Sequence, residues 1–401
     1  MANINWKLAV GIIIGIIIVT TTVIRLTRSV PPFEPAEERQ LAEWGSLDLE
    51  NAQKMQAVLD EDVNLLKVPG LQAFVLTSDD KTWSGTSGTA DLVRQNLMQR
   101  DDVLRVGSVT KTFTAVIVLK LVEERRLSLD ESIVKWFPDF PNAEAITVRH
   151  LLNHTSGIPE IIPKVLMKSI IPSTYWKPEE LVDIIAQDGP SFTPLGTFEY
   201  SNTNYILLGL IAERIAGKPF TQQLHEQIID PLNLEHTYFI PYEQAPDNLV
   251  PGFDRDLSSF PGMLDISPDN TSWATAAFTS GALVSTADDL GVFFERLFAG
   301  ELLSPSTMSE MTTFVSAPNP GFSEQNGYGL GLMHLEVDGQ ELVGHVGEFM
   351  GSTAIAMYSP DKNYIIVVTC NLSYPNVVKV LVDLQGNINQ QHHPNQTMPI
   401  D

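Results

Sequence analysis

A serine followed three residues later by a lysine can bring a hydroxyl nucleophile and an amine base together on one helix face. The chain holds four such pairs: Ser78–Lys81, Ser108–Lys111, Ser132–Lys135 and Ser359–Lys362. Two of them, Ser78–Lys81 and Ser359–Lys362, bracket polar turns, the second with Pro360 inside it. Ser132–Lys135 lies in "LDESIVKWFPDF", a short amphipathic turn ended by Pro138. Ser108 follows Gly107 and opens a helix expected over residues 109–126, with Phe113, Val116, Ile117, Leu121 and Val122 apolar. Burial there would lower the pKa of Lys111, as a base requires. Unpaired N–H groups at a helix start can also hold the negative oxygen formed when a hydroxyl attacks a carbonyl. The plain alternative is an N-cap serine with a solvated lysine.

Two later segments supply partners. "FTPLGTFEYSNTNYILLGLIAE" sets Tyr200 and Asn202 just before a strongly apolar helix. Tyrosine can serve as a base only where cations favour the phenolate, which Lys111 could supply, and the Asn202 amide could bind a carbonyl and orient Lys111. "VGHVGEFMGST" sets His345 and Gly347 at a strand edge, where glycine admits close backbone approach by a ligand. Each segment alone is ordinary: a packed tyrosine, a turn asparagine, a surface histidine. His150 and His154 are spaced for a metal pair but lack a third ligand, and His392–His393 lie in a polar tail, so no metal site and no cofactor are expected. The single cysteine, Cys370, sits in the apolar stretch "NYIIVVTCNLS" and reads as a core thiol, with no disulfide framework.

These groups need a scaffold. An acidic, apolar-periodic stretch over residues 38–66 reads as helix, and "LQAFVLTS" and "KTWSGTSG" as strands joined at Asp79–Asp80. About 200 residues of helices and Pro/Gly loops follow, including "NYILLGLIAERIAG" and "STADDLGVFFERLFAG", the latter with a capping box at Ser285 and Asp288. After residue 326 strands return: "GYGLGLMHLEV" turns through Asp338–Gly339 into "QELVGHVG", then come "STAIAMYSP" and "NYIIVVTCNLS", and a helix over residues 376–385. The expected fold class is α/β (α+β): a central, mostly antiparallel sheet flanked by helices, with a large mainly helical lobe inserted between its N- and C-terminal parts. That places residues 38–107 with 326–388 in the sheet domain, 108–325 in the helical lobe and 389–401 in a disordered tail.

Residues 8–24, "LAVGIIIGIIIVTTTVI", are apolar and uncharged, close to the length a transmembrane helix needs. Residues 1–28 therefore read as a retained membrane anchor, with a cleaved signal as the alternative, and residues 29–37 as a Pro-rich linker. The net charge of −24, from 49 acidic and 25 basic residues, argues against nucleic acid or an anionic membrane surface as the main partner.

Taken in order, "VGSVTKTF", "ITVRHLLNHTSGI", "PLGTFEYSNTNYILLGLIAE", "IIDPLNLEHTYF", "GALVSTADDLGVF" and "GHVGEFMG" resemble the penicillin-recognising serine hydrolases, over roughly residues 40–388. The nearest branch holds class C beta-lactamases, D-alanyl-D-alanine carboxypeptidases, esterases and D-aminopeptidases. The resemblance implies acylation of Ser108 with Lys111 as base, and catalytic roles for Tyr200 and His345. It also implies substrate contacts from Asn202, Gly347 and Glu348, and an oxyanion hole from the backbone N–H groups of Ser108 and Glu348. His345 stands where class C beta-lactamases carry lysine, which points away from strong beta-lactamase activity. If Glu348 faces the cleft, it would repel a terminal carboxylate and favour neutral or amino-bearing substrates; if it faces away, it says nothing about the substrate. The expected activity is a peptidase or amidase on D-amino-acid substrates, cell-wall peptides among the possible ones. The alternatives are an esterase or lactone hydrolase, a beta-lactamase, and a non-catalytic penicillin-binding sensor. The resemblance also implies a catalytic domain outside the membrane, extracellular or periplasmic.

Overall fold

The computed structural model describes residues 45–169, 174–187, 197–255, 264–265, 271–319 and 322–391. The expected anchor, linker and His392–His393 lie outside these. No helix among the described residues is long and apolar enough to cross a membrane.

The sheet is built from both ends of the chain, as the pattern of strands predicts. Its strands are β1 (Gly70–Leu76), β2 (Thr82–Asp91), β3 (Asn96–Leu97), β4 (Val315–Ser316), β5 (Gln325–Tyr328), β6 (Met333–Val337), β7 (Gln340–Phe349), β8 (Ser352–Ser359) and β9 (Tyr364–Cys370). They run in the order β3-β2-β1-β9-β8-β7-β6-β5-β4, and every neighbouring pair is antiparallel. Strands β1 and β9 close the join, pairing from Leu71–Cys370 to Leu76–Ile365.

The side-chain period of two sends the β9 residues to opposite faces. Ile365 and Val367 enter the larger core on the helical-lobe side, while Ile366, Val368 and Cys370 enter a second core. Helices α1 (Leu49–Leu65) and α5 (Val377–Gln391) cover that second face. Cys370 is fully buried there, and burial pushes its thiol up to about 12, so it is an inert core group.

Between the sheet segments lie α2 (Thr110–Glu123), α3 (Asn202–Ala216) and α4 (Ala287–Phe298), with shorter helices around them. Helix α4 packs directly on β1, β8 and β9, and Phe293 stacks on Phe113 of α2 at 3.7 Å. Residues 110–119 of α2 are all buried, and a helix buried all round must satisfy its polar groups internally. The threonine hydroxyls do so: Thr110 donates to Gly107 O, Thr112 to Gly331 O and Thr114 to Thr279 O.

Several local details differ from the sequence reading. "GYGLGLMHLEV" is two strands, broken at Gly329–Leu332, because Gly331 (φ +87°) passes against α2, where a β-carbon would lie 2.5 Å from Ala115 Cβ. Helix α4 is capped by Thr286, whose side chain accepts from Asp289 N–H, whereas Ser285 ends a strand and pairs with Thr237. Helix α5 continues to Gln391.

Candidate active site

Of the four Ser-x-x-Lys pairs, three meet the structural reading given for turns and surface. Lys81 pairs with Asp79 and Lys135 with Glu131, both in exposed bridges, and Ser132 caps a 3-10 turn. Lys362 is exposed. Only Lys111 reaches its serine: its Nζ donates to Ser108 Oγ at 3.0 Å.

Ser108 sits in the 3-10 turn Gly107–Val109, and the α-helix starts at Thr110. Its side chain caps no backbone N–H, so the N-cap alternative fails and the hydroxyl is left to Lys111. Gly107 takes φ +49°, in the left-handed region that glycine tolerates. A β-carbon at Gly107 would meet the backbone of Glu348 at 2.4–2.8 Å, and one at Gly347 would fall 2.0 Å from Val106 O. The two glycines thus let the end of β7 lie against the turn that carries Ser108.

Lys111 is fully buried. Besides Ser108, its amine donates to Asn202 Oδ1 at 2.6 Å and to Ser280 O at 2.8 Å. Burial lowers its pKa to about 7, with the Glu160 carboxylate pulling the other way. A base poised near neutral pH is what proton abstraction from a hydroxyl requires.

Glu160 is the group that sequence reasoning missed. Its Oε2 accepts from Asn202 N at 2.7 Å and from Asn202 Nδ2 at 3.0 Å, and Oε1 accepts from Ile162 N at 2.9 Å. It therefore caps the positive end of α3 and fixes the amide so that Oδ1 faces Lys111. Ser280, on the 3-10 turn Phe278–Ser280, was equally unreadable, because its contribution is a carbonyl delivered by tertiary packing.

Tyr200 lies beside this pair, with the Lys111 ammonium 4.8 Å from its ring centroid. Its buried hydroxyl has no well-formed hydrogen bond. Burial holds the phenol well above its usual value, against a lowering contribution from Ser108, and the carboxylates of Glu160 and Glu348 push it further up. The expected condition for a phenolate base is not met, because desolvation outweighs the nearby cation. Tyr200 is therefore held as a neutral phenol.

His345 is fully buried. A carbonyl can only accept, so the 2.6 Å contact with Val346 O places the ring proton on Nδ1, and Nε2 accepts from the Tyr328 hydroxyl at 2.9 Å. Both nitrogens are engaged. Burial, then the nearby Lys111, lowers its pKa to about 3, so the ring is neutral. Glu348 is exposed at the end of β7, its carboxyl raised by partial burial, and its charge reaches both Tyr200 and Tyr374.

His150 and His154 do not converge on a metal. His150 Nδ1 accepts from Thr147 N in a capping box, and His154 Nδ1 accepts from Ser201 N.

A half-buried serine beside a fully buried lysine that an amide orients, next to a neutral phenol and close backbone nitrogens, can carry acyl transfer. A family model described as beta-lactamase matches residues 55–385. The D-amino acid amidase of Ochrobactrum anthropi is similar in structure, with a TM-score of 0.79 at 29% identity, over 86% of this chain and 99% of that one. The D-stereospecific amidohydrolase of a Streptomyces species gives 0.70 at 31% identity, over 86% and 98%. Among curated proteins, Protein flp of Staphylococcus aureus is 24% identical over 352 residues, 84% of this chain and 67% of that protein.

Proposed function

The chain belongs to the beta-lactamase family and is a serine hydrolase of that family, and on that premise we propose that it is an amidase or peptidase for substrates bearing a free amino group on a D-residue. The observation that carries this is the charge around the nucleophile. Position 345 holds a neutral imidazole, while Glu160 and Glu348 both direct negative charge at Tyr200. Such a site attracts an ammonium group and repels a terminal carboxylate. The likeness to two enzymes named for D-amino acid amides and D-stereospecific amidohydrolysis supports the same substrate class.

In the proposed cycle, neutral Lys111 takes the Ser108 proton as Oγ bonds to the amide carbon. The carbonyl electrons move onto the oxygen, which lies against the backbone N–H groups of Ser108 and Glu348. The C–N bond then breaks, and the leaving amine takes a proton from the Lys111 ammonium through the Tyr200 hydroxyl. Water, deprotonated by the same lysine, releases the acyl group. Asn202 and Gly347 position the substrate carbonyl, and His345, neutral with both ring nitrogens engaged, supports the site without relaying a proton. The domain works outside the membrane, held by residues 8–24, and protease protection in intact cells checks that placement.

Ser108→Ala should abolish hydrolysis and labelling by a fluorophosphonate. For the parent, D-aminoacyl amides should be cleaved faster than their N-acetylated forms, D-alanyl-D-alanine peptides, short-chain esters or nitrocefin. Equal rates after N-acetylation, or preference for the carboxylate-terminated peptide, would defeat the amine reading.

A further inference from the structure

The segment that carries Tyr200 is gripped from one place. The His154 carbonyl accepts from Glu199 N at 2.9 Å, and His154 Nδ1 accepts from Ser201 N at 3.1 Å. Between those two bonds the His154 ring lies on the Tyr200 ring, with centroids 4.4 Å apart and planes 30° from parallel. One residue therefore holds residues 199, 200 and 201 in succession. The backbone of His154 is left-handed, with φ +58°, a conformation histidine enters more readily than most residues.

The ring is itself held. Asn204 Oδ1 accepts from Ser156 Oγ at 2.7 Å, which turns the Asn204 amide N–H₂ toward His154 Nδ1 at 3.1 Å. With two donors on Nδ1, the ring proton belongs on Nε2, which is buried and takes no hydrogen bond. Tyr205 and Tyr328 close around it, with centroids at 5.2 and 4.7 Å. Burial first, and then Lys111 and His345, disfavour a charged ring. An uncharged, flat ring with one fixed acceptor is a specific requirement, and bulk packing alone does not demand it.

The geometry points to His154 as a positioning residue for acyl transfer, one that holds the Tyr200 phenol over the Ser108–Lys111 pair. It touches neither substrate nor the reacting atoms and acts only through Tyr200. The inference rests on the acyl-transfer reading of the site.

The test is a double-mutant cycle on the full chain, read as kcat for a D-aminoacyl amide, whose leaving amine needs the Tyr200 proton, with thermal unfolding alongside. His154→Asn keeps an acceptor near the Nδ1 position and removes the ring. It should lower kcat at least tenfold while KM stays within twofold. In a Tyr200→Phe background the same change should cost less than twofold, because the phenol it positions is gone. A kcat for folded His154→Asn within twofold of the parent, or an equal loss in both backgrounds, would overturn the inference. Should His154→Asn show no cooperative unfolding, Asn204→Ala loosens the ring from behind. That variant should lose at least threefold only where Tyr200 is present, and an equal loss or none in both backgrounds overturns the inference. A parent that is not labelled at Ser108 would overturn the acyl-transfer reading itself, an outcome distinct from either failure.

Discussion

A β-carbon placed on Gly347 would lie 2.9 Å from the backbone nitrogen of Ser108, so the His345–Gly347 segment touches the turn that carries Ser108 directly. The same β-carbon would fall 2.0 Å from Val106 O, a backbone atom that cannot swing aside. Gly347→Ala must therefore push β7 away from the nucleophile turn and separate the two nitrogens of the proposed oxyanion hole. Loss of one such donor typically costs a factor of about 10²–10³ in kcat. That loss is expected here, with destabilisation of roughly 1–3 kcal/mol, measured by steady-state kinetics and urea unfolding. An unimpaired kcat would remove the contact from the mechanism.

As the proposed base, Lys111 should set the acid limb of activity. Buried at a pKa of about 7, it is neutral above that pH and an inactive ammonium below it. The kcat/KM profile should rise with pH through a limb near 7. Glu160 favours the ammonium, so Glu160→Gln should shift that limb to lower pH, provided the amide keeps its oxygen toward Asn202. Lys111→Arg, which stays charged, should lose about 10²–10⁴ in rate. A limb unmoved by Glu160→Gln would detach it from Lys111.

What could be read from sequence was whatever local spacing encodes. The Asp338–Gly339 hairpin is one case: both residues adopt positive φ, at 49° and 72°, as the two-residue turn demands. Ser108 and Lys111 are another, because a one-turn spacing is itself a statement about geometry. Glu160 lay beyond reach for the opposite reason. It meets Asn202 across 42 residues, and nothing in "SGIPE" distinguishes a site carboxylate from a loop one. His154 was legible only as half of a histidine pair without a third ligand, since its three contacts with residues 199–201 arise from a left-handed turn that no periodicity reports. The break in "GYGLGLMHLEV" follows the same rule: Gly331 is set by the helix it passes, and that helix is some 200 residues away in sequence.

Glu348 offers a charge-reversal test of substrate choice. Its carboxylate reaches Tyr200 from an exposed position at the end of β7. Replacement by lysine leaves the backbone N–H in place and inverts the field that reaches Tyr200. The ratio of kcat/KM for D-alanyl-D-alanine peptides to that for D-aminoacyl amides should rise about tenfold at low salt. The effect should shrink as ionic strength increases, because an exposed charge is screened. A ratio unchanged at low salt would mean that Glu348 faces away from the bound substrate.

Stability should carry its own pH dependence, traceable to Asp62. This carboxyl is 1% exposed between α1 and α5, with Oδ1 accepting from Lys379 Nζ at 3.1 Å and Oδ2 unbonded. Burial raises its pKa to about 6, only partly offset by Lys379, and Asp383 raises it further. The folded state thus holds this proton more tightly than the unfolded chain, for which 3.8 is the ordinary value. The sign follows from proton linkage: the stabilisation is fully present below about pH 4 and is lost as pH rises through about 6. Asp62→Asn cannot ionise, and Lys379 retains Asp383 as a partner. Relative to the parent, the variant should gain on the order of 1 kcal/mol at pH 7 over its value at pH 4.5. Urea unfolding at the two pH values measures that difference, and hydrolysis should be unaffected because Asp62 lies across the sheet from Ser108. Parallel pH curves for the two proteins would show that the charge on Asp62 costs the fold nothing.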